Sequence, residues 1–197
     1  MKALIVSTML IGSLAAGSLA AQEDARSAAA AQEGVAVAQP APCPHPISLT
    51  INGTSTRPSV DPADVPASLV ASLAGSQWNQ TAVDRHFGHT FHFPAPTPGK
   101  ECCLMTSGIL TVKVKALQGG PPKSATSAND GINLFSHGVV FAGQSPWYTS
   151  GVTTGQTATL TFTIPPSVLA TGEFTLYVQD DTAVLSAELK LQGCCLR

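Results

Sequence analysis

The segment "TATLTFTI", residues 157–164, alternates between threonine and apolar residues along its whole length. Successive side chains of a β-strand point to opposite faces, so this pattern predicts a half-buried strand with its threonines in solvent. The same alternation recurs in three further segments, at 109–117, 173–179 and 184–191. Weaker strand candidates are 47–52, 86–93, 131–135 and 138–142.

A helical pattern occurs in "DVPASLVASLAG", residues 64–75. Leu69, Val70 and Leu73 fall on one face of this predicted helix. Asp64 is its expected N-cap. Turn sequences such as "GGPPKS" and "IPPS" separate the strand candidates. The pattern predicts an all-β fold: a single antiparallel β-sandwich, of the jelly-roll type, with one short helix.

The first 46 residues differ in composition from the rest. Residues 1–20 hold one lysine and an apolar run that ends in small residues, which is typical of a secretory signal peptide. Residues 21–46 are rich in Ala, Gln and Pro and predict a flexible leader. The β-sandwich domain is expected at 47–197. We therefore expect a secreted protein, periplasmic or extracellular, with no membrane insertion after the signal peptide is removed.

Charge limits the class of partner. The formal net charge is −2 at pH 7, and the ten Lys and Arg residues form no cluster. Nucleic acids and anionic membrane surfaces are bound through clustered positive charge. The sequence therefore argues against both as partners.

Five cysteines are present in the chain: Cys43, Cys102, Cys103, Cys194 and Cys195. In an exported chain they predict disulfides rather than zinc, because paired neighbours lack the spacing by which two thiolates reach one ion. Adjacent strand residues point to opposite faces, so Cys102 and Cys103 are not expected to bond each other. We expect at least one bridge between the 102/103 pair and the 194/195 pair, and a bridge from Cys43 that ties the start of the domain to its end.

Three histidines occur at intervals of three in "VDRHFGHTFHFPAP", residues 83–96. On a strand, the face predicted to point into the core consists of Phe87, His89, Phe91 and Phe93. His89 is therefore expected to be buried, with a hydrogen-bond partner. His86 and His92 share the opposite face but lie roughly 20 Å apart, too far to bind one metal ion. We expect Asp84 and His86 to border a ligand-binding groove.

Loop carboxylates suggest a calcium site. Asp130, Asp180 and Asp181 lie in predicted loops, and carboxylate oxygens are the ligands that calcium prefers. The alternative is that they only form turns, since Asn, Asp and Gly are the residues that tight turns require.

The end of the chain, "FTLYVQDDTAVLSAELKL", is a strand that ends in paired aspartates and is followed by a final apolar strand. It resembles the closing segment of secreted carbohydrate-binding jelly rolls of the galactose-binding-like type. The resemblance implies a glycan or polysaccharide ligand and, as in some members, a structural calcium. Trp147 and Tyr148, in "GQSPWYTSG", are the aromatic residues expected to stack on a sugar. The alternative for Trp147 is that it anchors its loop to the sandwich.

Three functions follow as hypotheses. The first is an exported carbohydrate-binding module. The second is a self-assembling structural subunit of an extracellular matrix, coat or filament, since low charge, a threonine-rich exterior and an odd cysteine favour self-association. The third is an extracellular hydrolase that uses a carboxylate pair drawn from Asp84, Asp130, Asp180 and Asp181. The sequence lacks a G-x-S-x-G motif and a phosphate-binding loop, so it favours a role without catalysis.

Overall fold

In the computed structural model, residues 43, 45–95, 102–123, 131–179 and 181–196 are described. The strands are β1 (Pro46–Asn52), β2 (Phe87–His92), β3 (Cys102–Ala116), β4 (Ile132–Ser136), β5 (Val139–Gln144), β6 (Thr157–Thr163), β7 (Glu173–Val178) and β8 (Thr182–Leu196). Two α-helical turns, α1 (Ala67–Val70) and α2 (Pro166–Leu169), and two short 3-10 turns, Gly53–Ser55 and Ala71–Leu73, complete the elements. The predicted signal peptide and most of the predicted leader lie outside the described residues.

The eight strands form two antiparallel sheets. Sheet A has the order β1-β8-β3-β6, and sheet B has the order β2-β7-β4-β5. The first strand pairs with the last, the second with the seventh, the third with the sixth and the fourth with the fifth. This nesting is what a long double-stranded ribbon produces when it is rolled up, and the β3–β8 and β4–β7 pairings close the two sheets. The predicted β-sandwich is confirmed, and its strand order is that of a jelly roll.

The faces of the strands follow the alternation of the sequence. On β3, Leu110, Val112 and Val114 are completely buried between the sheets. On β6 the four threonines are exposed and the intervening residues point inward. The outer face of sheet A is therefore open to solvent, as the sequence predicts.

The inward face of β8 differs from the prediction by one residue at its start. The register of β8 against β3 shifts between Lys113 and Val114, which pair with Ser186 and Val184. This β-bulge leaves Leu185 without a partner in the register, so Val184 rather than Leu185 joins the core. Leu189 and Leu191 point inward as expected.

The outer face of sheet B is covered. Residues 59–76, which we call the covering segment, pack Val65 and Leu73 against Phe135 of β4 and Tyr177 of β7. β7 is consequently buried on both faces. Its sequence predicts one exposed face, because alternation along a strand does not reveal that a distant segment lies over it.

Asp64 is not the N-cap of the predicted helix. Helix α1 begins at Ala67 with Pro66 as its N-cap, and Asp64 is completely buried. The Asp64 carboxylate accepts hydrogen bonds from the backbone N–H of His137 (3.1 Å) and the hydroxyl of Thr175 (3.2 Å). It therefore ties the covering segment to β7 and to the turn between β4 and β5 of sheet B. A second helical turn, α2, is absent from the sequence-based prediction.

Two disulfides join the ends of the domain. Cys103–Cys195 links directly opposed residues of β3 and β8, and Cys43–Cys194 ties the residue three before β1 to β8. Both pairings confirm the expected pattern. The side chain of Cys102, the fifth cysteine, lies outside the described residues. None of the helices in the described part of the chain has the length and hydrophobicity that crossing a bilayer requires.

The buried contacts of Asp64 predict its contribution to stability. We expect Asp64→Ala to lower the free energy of unfolding by about 2–4 kcal/mol, because it leaves two donors under the covering segment without their charged acceptor. Urea denaturation would measure the loss. The control is Asp61→Ala, which removes a partly exposed carboxylate from the same segment and should cost less than half as much. An equal loss in both variants would contradict the assigned role.

Candidate functional site

The predicted site residues that the structure describes, apart from the cysteines, lie in connections at one end of the sandwich: Asp84, His86, Trp147, Tyr148 and Asp181. These connections follow the odd-numbered strands, and hydrogen bonds join them. The backbone N–H of Leu117, after β3, donates to the carbonyl of Asp181, before β8, at 2.8 Å. The N–H of Lys123 donates to the carbonyl of Tyr148 at 2.7 Å. The rolled topology thus gathers residues that lie far apart in sequence.

The aromatic pair and the Asp84–His86 pair are nevertheless separated. Asp84 and His86 precede β2, whereas Trp147 and Tyr148 follow β5, and these are the two outer strands of sheet B. Three strand spacings of about 4.8 Å put them roughly 14 Å apart. The two pairs therefore lie next to opposite edges of sheet B.

Trp147 occupies the core. Its side chain is 3% exposed and belongs to the main apolar cluster, so its ring is not available for stacking in this conformation. Tyr148 is 43% exposed. The alternative given above, a tryptophan that anchors its loop, fits this burial.

Asp84, His86 and Asp181 do lie close together. The backbone N–H of Asp84, which has a left-handed φ of +57°, donates to the carboxylate of Asp181 at 3.4 Å. His86 Nδ1 and the hydroxyl of Tyr177 form a hydrogen bond. Asp181 is 4% exposed, so it acts within the loop rather than at an open surface.

Calcium binding stays a prediction. Asp130 and Asp180 lie outside the described residues. Among the residues that are described, no three His, Cys, Asp or Glu side chains are close enough together to hold a metal ion.

A cleft lined by both apolar and polar residues opens elsewhere, on the flank of the sandwich between the end of β1 and β2. It has a volume of about 280 Å³ on one side of residues 57–59 and about 230 Å³ on the other. We call the 230 Å³ part the flank cleft; its lining is Ile51, Thr56, Arg57, Ser59, His89, Thr90, Phe91 and His92. The 280 Å³ part, the neighbouring cleft, shares Arg57 and Ser59 with it.

Backbone hydrogen bonds hold the wall of the flank cleft against β2. The N–H of Thr90 donates to the carbonyl of Ser59 at 2.8 Å, and the N–H of Asp61 donates to the hydroxyl of Thr90 at 2.8 Å. The Thr90 hydroxyl also bonds to that of Thr175 at 2.7 Å. The polar groups of the cleft are therefore carried by a strand and by a segment fixed to it.

His89 is the least usual group in this wall. Its side chain is buried, as the sequence predicts, and its ring lies edge-on to Phe91 at 4.8 Å and to Trp78 at 5.3 Å between ring centres. The expected hydrogen-bond partner is missing: Nδ1 has none among the described residues. Burial, and to a lesser extent the nearby His92, lowers the pKa of His89 to about 4. His89 is therefore neutral at physiological pH.

The charged groups near the flank cleft are few. His92 Nδ1 lies 2.9 Å from a carboxylate oxygen of Glu173 on the neighbouring strand β7. Arg57 is exposed and makes no ion pair with any residue in the described ranges. The lining of the flank cleft thus combines apolar side chains and hydroxyls with two further groups: a neutral histidine whose buried Nδ1 lacks a partner, and a guanidinium without an ion pair among the described residues.

Sequence reasoning missed Arg57 and Ser59. They occur in "TSTRPSV", which has neither a periodic pattern nor a motif. Burial of His89 was predicted from the alternation of β2, but its place in a cleft depends on where residues 57–59 cross that strand. Comparison with protein-family models gave no match, and no similar sequence was found among curated proteins.

The depressed pKa of His89 predicts a pH dependence of stability. An unfolded histidine takes up a proton near pH 6.5, whereas the folded one resists it down to about pH 4. Stability from this group is complete above pH 6.5 and is lost as the pH falls from 6.5 to 4, by about 2 kcal/mol.

His89→Leu should remove this part of the pH dependence. Because Leu also replaces an unpartnered polar group, the variant should be at least as stable as the natural protein at pH 7. Urea denaturation at pH 7 and pH 4.5 would measure both effects. An unchanged pH dependence in the variant would show that His89 does not behave as described.

Proposed function

We propose that this protein is an exported ligand-binding jelly roll that binds carbohydrate in the flank cleft. The observation that carries the proposal is the buried, unpartnered Nδ1 of His89, a residue in the wall of a cleft that Thr56 and Ser59 also line. A neutral imidazole nitrogen is a donor in one tautomer and an acceptor in the other. A sugar hydroxyl both donates and accepts, so it satisfies either tautomer.

Export is supported by the two disulfides and by the predicted signal peptide. Disulfides persist in the periplasm and outside the cell, and they are rare in the cytosol. Sugars attached to surfaces or to secreted polymers are ligands in the same compartments.

The size of the flank cleft limits what it holds. At about 230 Å³ it is smaller than the roughly 300–1,000 Å³ of clefts that enclose drug-sized ligands. It fits one sugar ring or part of one, with the remainder of a longer glycan outside. Recognition in this site relies on hydrogen bonds, because the aromatic ring in its wall, Phe91, is buried.

Binding to a broad glycan panel tests the proposal. We expect saturable retention of the natural protein and a loss of about tenfold or more in affinity for His89→Leu, because the ligand hydroxyl then has no partner. Tyr148→Ala, which removes the exposed aromatic residue at the loop end, is the control and should retain its affinity.

Two results would contradict the proposal. If no glycan is retained, carbohydrate binding is wrong. If Tyr148→Ala abolishes retention while His89→Leu keeps it, the sugar binds at the loop end and not in the flank cleft.

A second candidate function is self-assembly, and β5 favours it. This strand forms one edge of sheet B and contains no charged residue. Its Val139 and Val140 are 66% and 48% exposed. Edge strands of stable monomers usually carry lysine, proline or a covering element, and an apolar edge without them is prone to pair with another strand.

Sedimentation velocity over a wide concentration range tests self-assembly. If β5 mediates it, the natural protein should form dimers or longer polymers, and Val140→Lys should shift it to monomer by adding charge at the edge. Thr159→Lys, on the exposed face of sheet A, is the matched control and should still assemble. A natural protein that stays monomeric at all concentrations would exclude this function.

A further inference from the structure

We propose that the sugar bound in the flank cleft is acidic, and that Arg57 binds its carboxylate. This inference rests on the proposed function and adds the class of ligand. The ligand is a uronic acid unit within a polysaccharide: one ring supplies hydroxyls for His89 and a carboxylate for Arg57.

The first argument is that Arg57 has no ion-pair partner among the residues that the structure describes. Its side chain lines both the flank cleft and the neighbouring cleft, and it forms no ion pair with the described residues. A guanidinium presents a planar fork of N–H donors that matches the two oxygens of a carboxylate. A free arginine in a concave surface is suited to this kind of ligand.

The second argument concerns the neighbouring carboxylates. Neither cleft has an Asp or Glu in its described lining, although acidic residues outnumber basic ones in the chain. The nearby Glu173 is paired with His92. Oδ1 of Asp61, four residues after Arg57, accepts the backbone N–H of Ala63 at 2.8 Å. The charge of Arg57 therefore remains available to an incoming anion.

The third argument favours a polymer over a free sugar acid. The two clefts share Arg57 and Ser59, and their volumes, about 230 and 280 Å³, are similar. Two adjoining clefts of the size of one sugar ring, with the cationic group between them, suit neighbouring units of one chain. A free monosaccharide would fill only one of them and leave the other to solvent.

Calorimetry on the mature protein with matched ligands tests the inference. The ligands are trimers of galacturonate, glucuronate and mannuronate, each beside its carboxyl-reduced neutral form and its monosaccharide. We expect at least one acidic trimer to bind about tenfold or more tighter than its reduced form and tighter than its monosaccharide, with an affinity that falls as salt rises.

Two variants test the role of Arg57. Arg57→Gln should remove the preference for the acidic trimer while weak binding of the reduced form persists. Lys113→Gln, on the exposed face of sheet A, removes the same charge far from the cleft and should retain the preference. Shifts of the His89 ring resonances on titration would place the ligand in the flank cleft, and unchanged circular dichroism would show that Arg57→Gln is folded.

The outcomes separate this inference from the proposed function. If neutral glycans perturb His89 and bind as well as the acidic ones, the acidic ligand is wrong and carbohydrate binding stands. If Arg57→Gln keeps the full preference for the acidic trimer, the assigned role of Arg57 is wrong, and carbohydrate binding stands. If an acidic monosaccharide binds as tightly as its trimer, the proposal of a polymeric ligand is wrong, and the proposal of an acidic ligand stands. If no glycan of either kind binds, both proposals fail.

Discussion

The pairing of β3 with β8 is the contact on which the rest of the domain depends. Both strands are 15 residues long, and they lie side by side at the centre of sheet A. β1 and β6 add to their outer edges, so sheet A cannot form before they meet. The pairing joins distant parts of the chain and has a large cost in loop entropy, which Cys103–Cys195, with a sequence separation of 92, reduces in the unfolded state.

The covering segment buries the outer face of sheet B, and the same part of the chain forms a wall of the two clefts. It buries the outer face of β7 and β4 through Val65, Leu73 and the carboxylate of Asp64. Residues 57–59, where the covering segment begins, are held to β2 by a hydrogen bond between Ser59 and Thr90. They form a wall common to both clefts. The position of the cleft is therefore set by contacts that also stabilise sheet B. The wall of the flank cleft is thus part of the packed fold.

His89 departs from the rule that buried polar atoms have hydrogen-bond partners. A buried polar nitrogen without a partner costs stability, and the apolar residues around it would accommodate a leucine. Natural proteins break such rules mostly at functional sites. Arg57 likewise has no ionic partner among the described residues, and both residues line the flank cleft. Their combination in one concave surface is the basis for placing the ligand there rather than at the loop end.

The sequence by itself determined the strands, most of their inward faces and which groups of cysteines are joined, whereas the individual bridges came from the structure. These depend on period-two alternation and on the spacing of residues, which are local properties. Tertiary structure alone decided that Asp64 is buried rather than an N-cap, that Trp147 belongs to the core and that Arg57 and His89 line one cleft. Each of these depends on where a connecting segment crosses a sheet. Such crossings are set by packing between residues far apart in sequence, and no local pattern in "TSTRPSV" or "SPWYTS" records them.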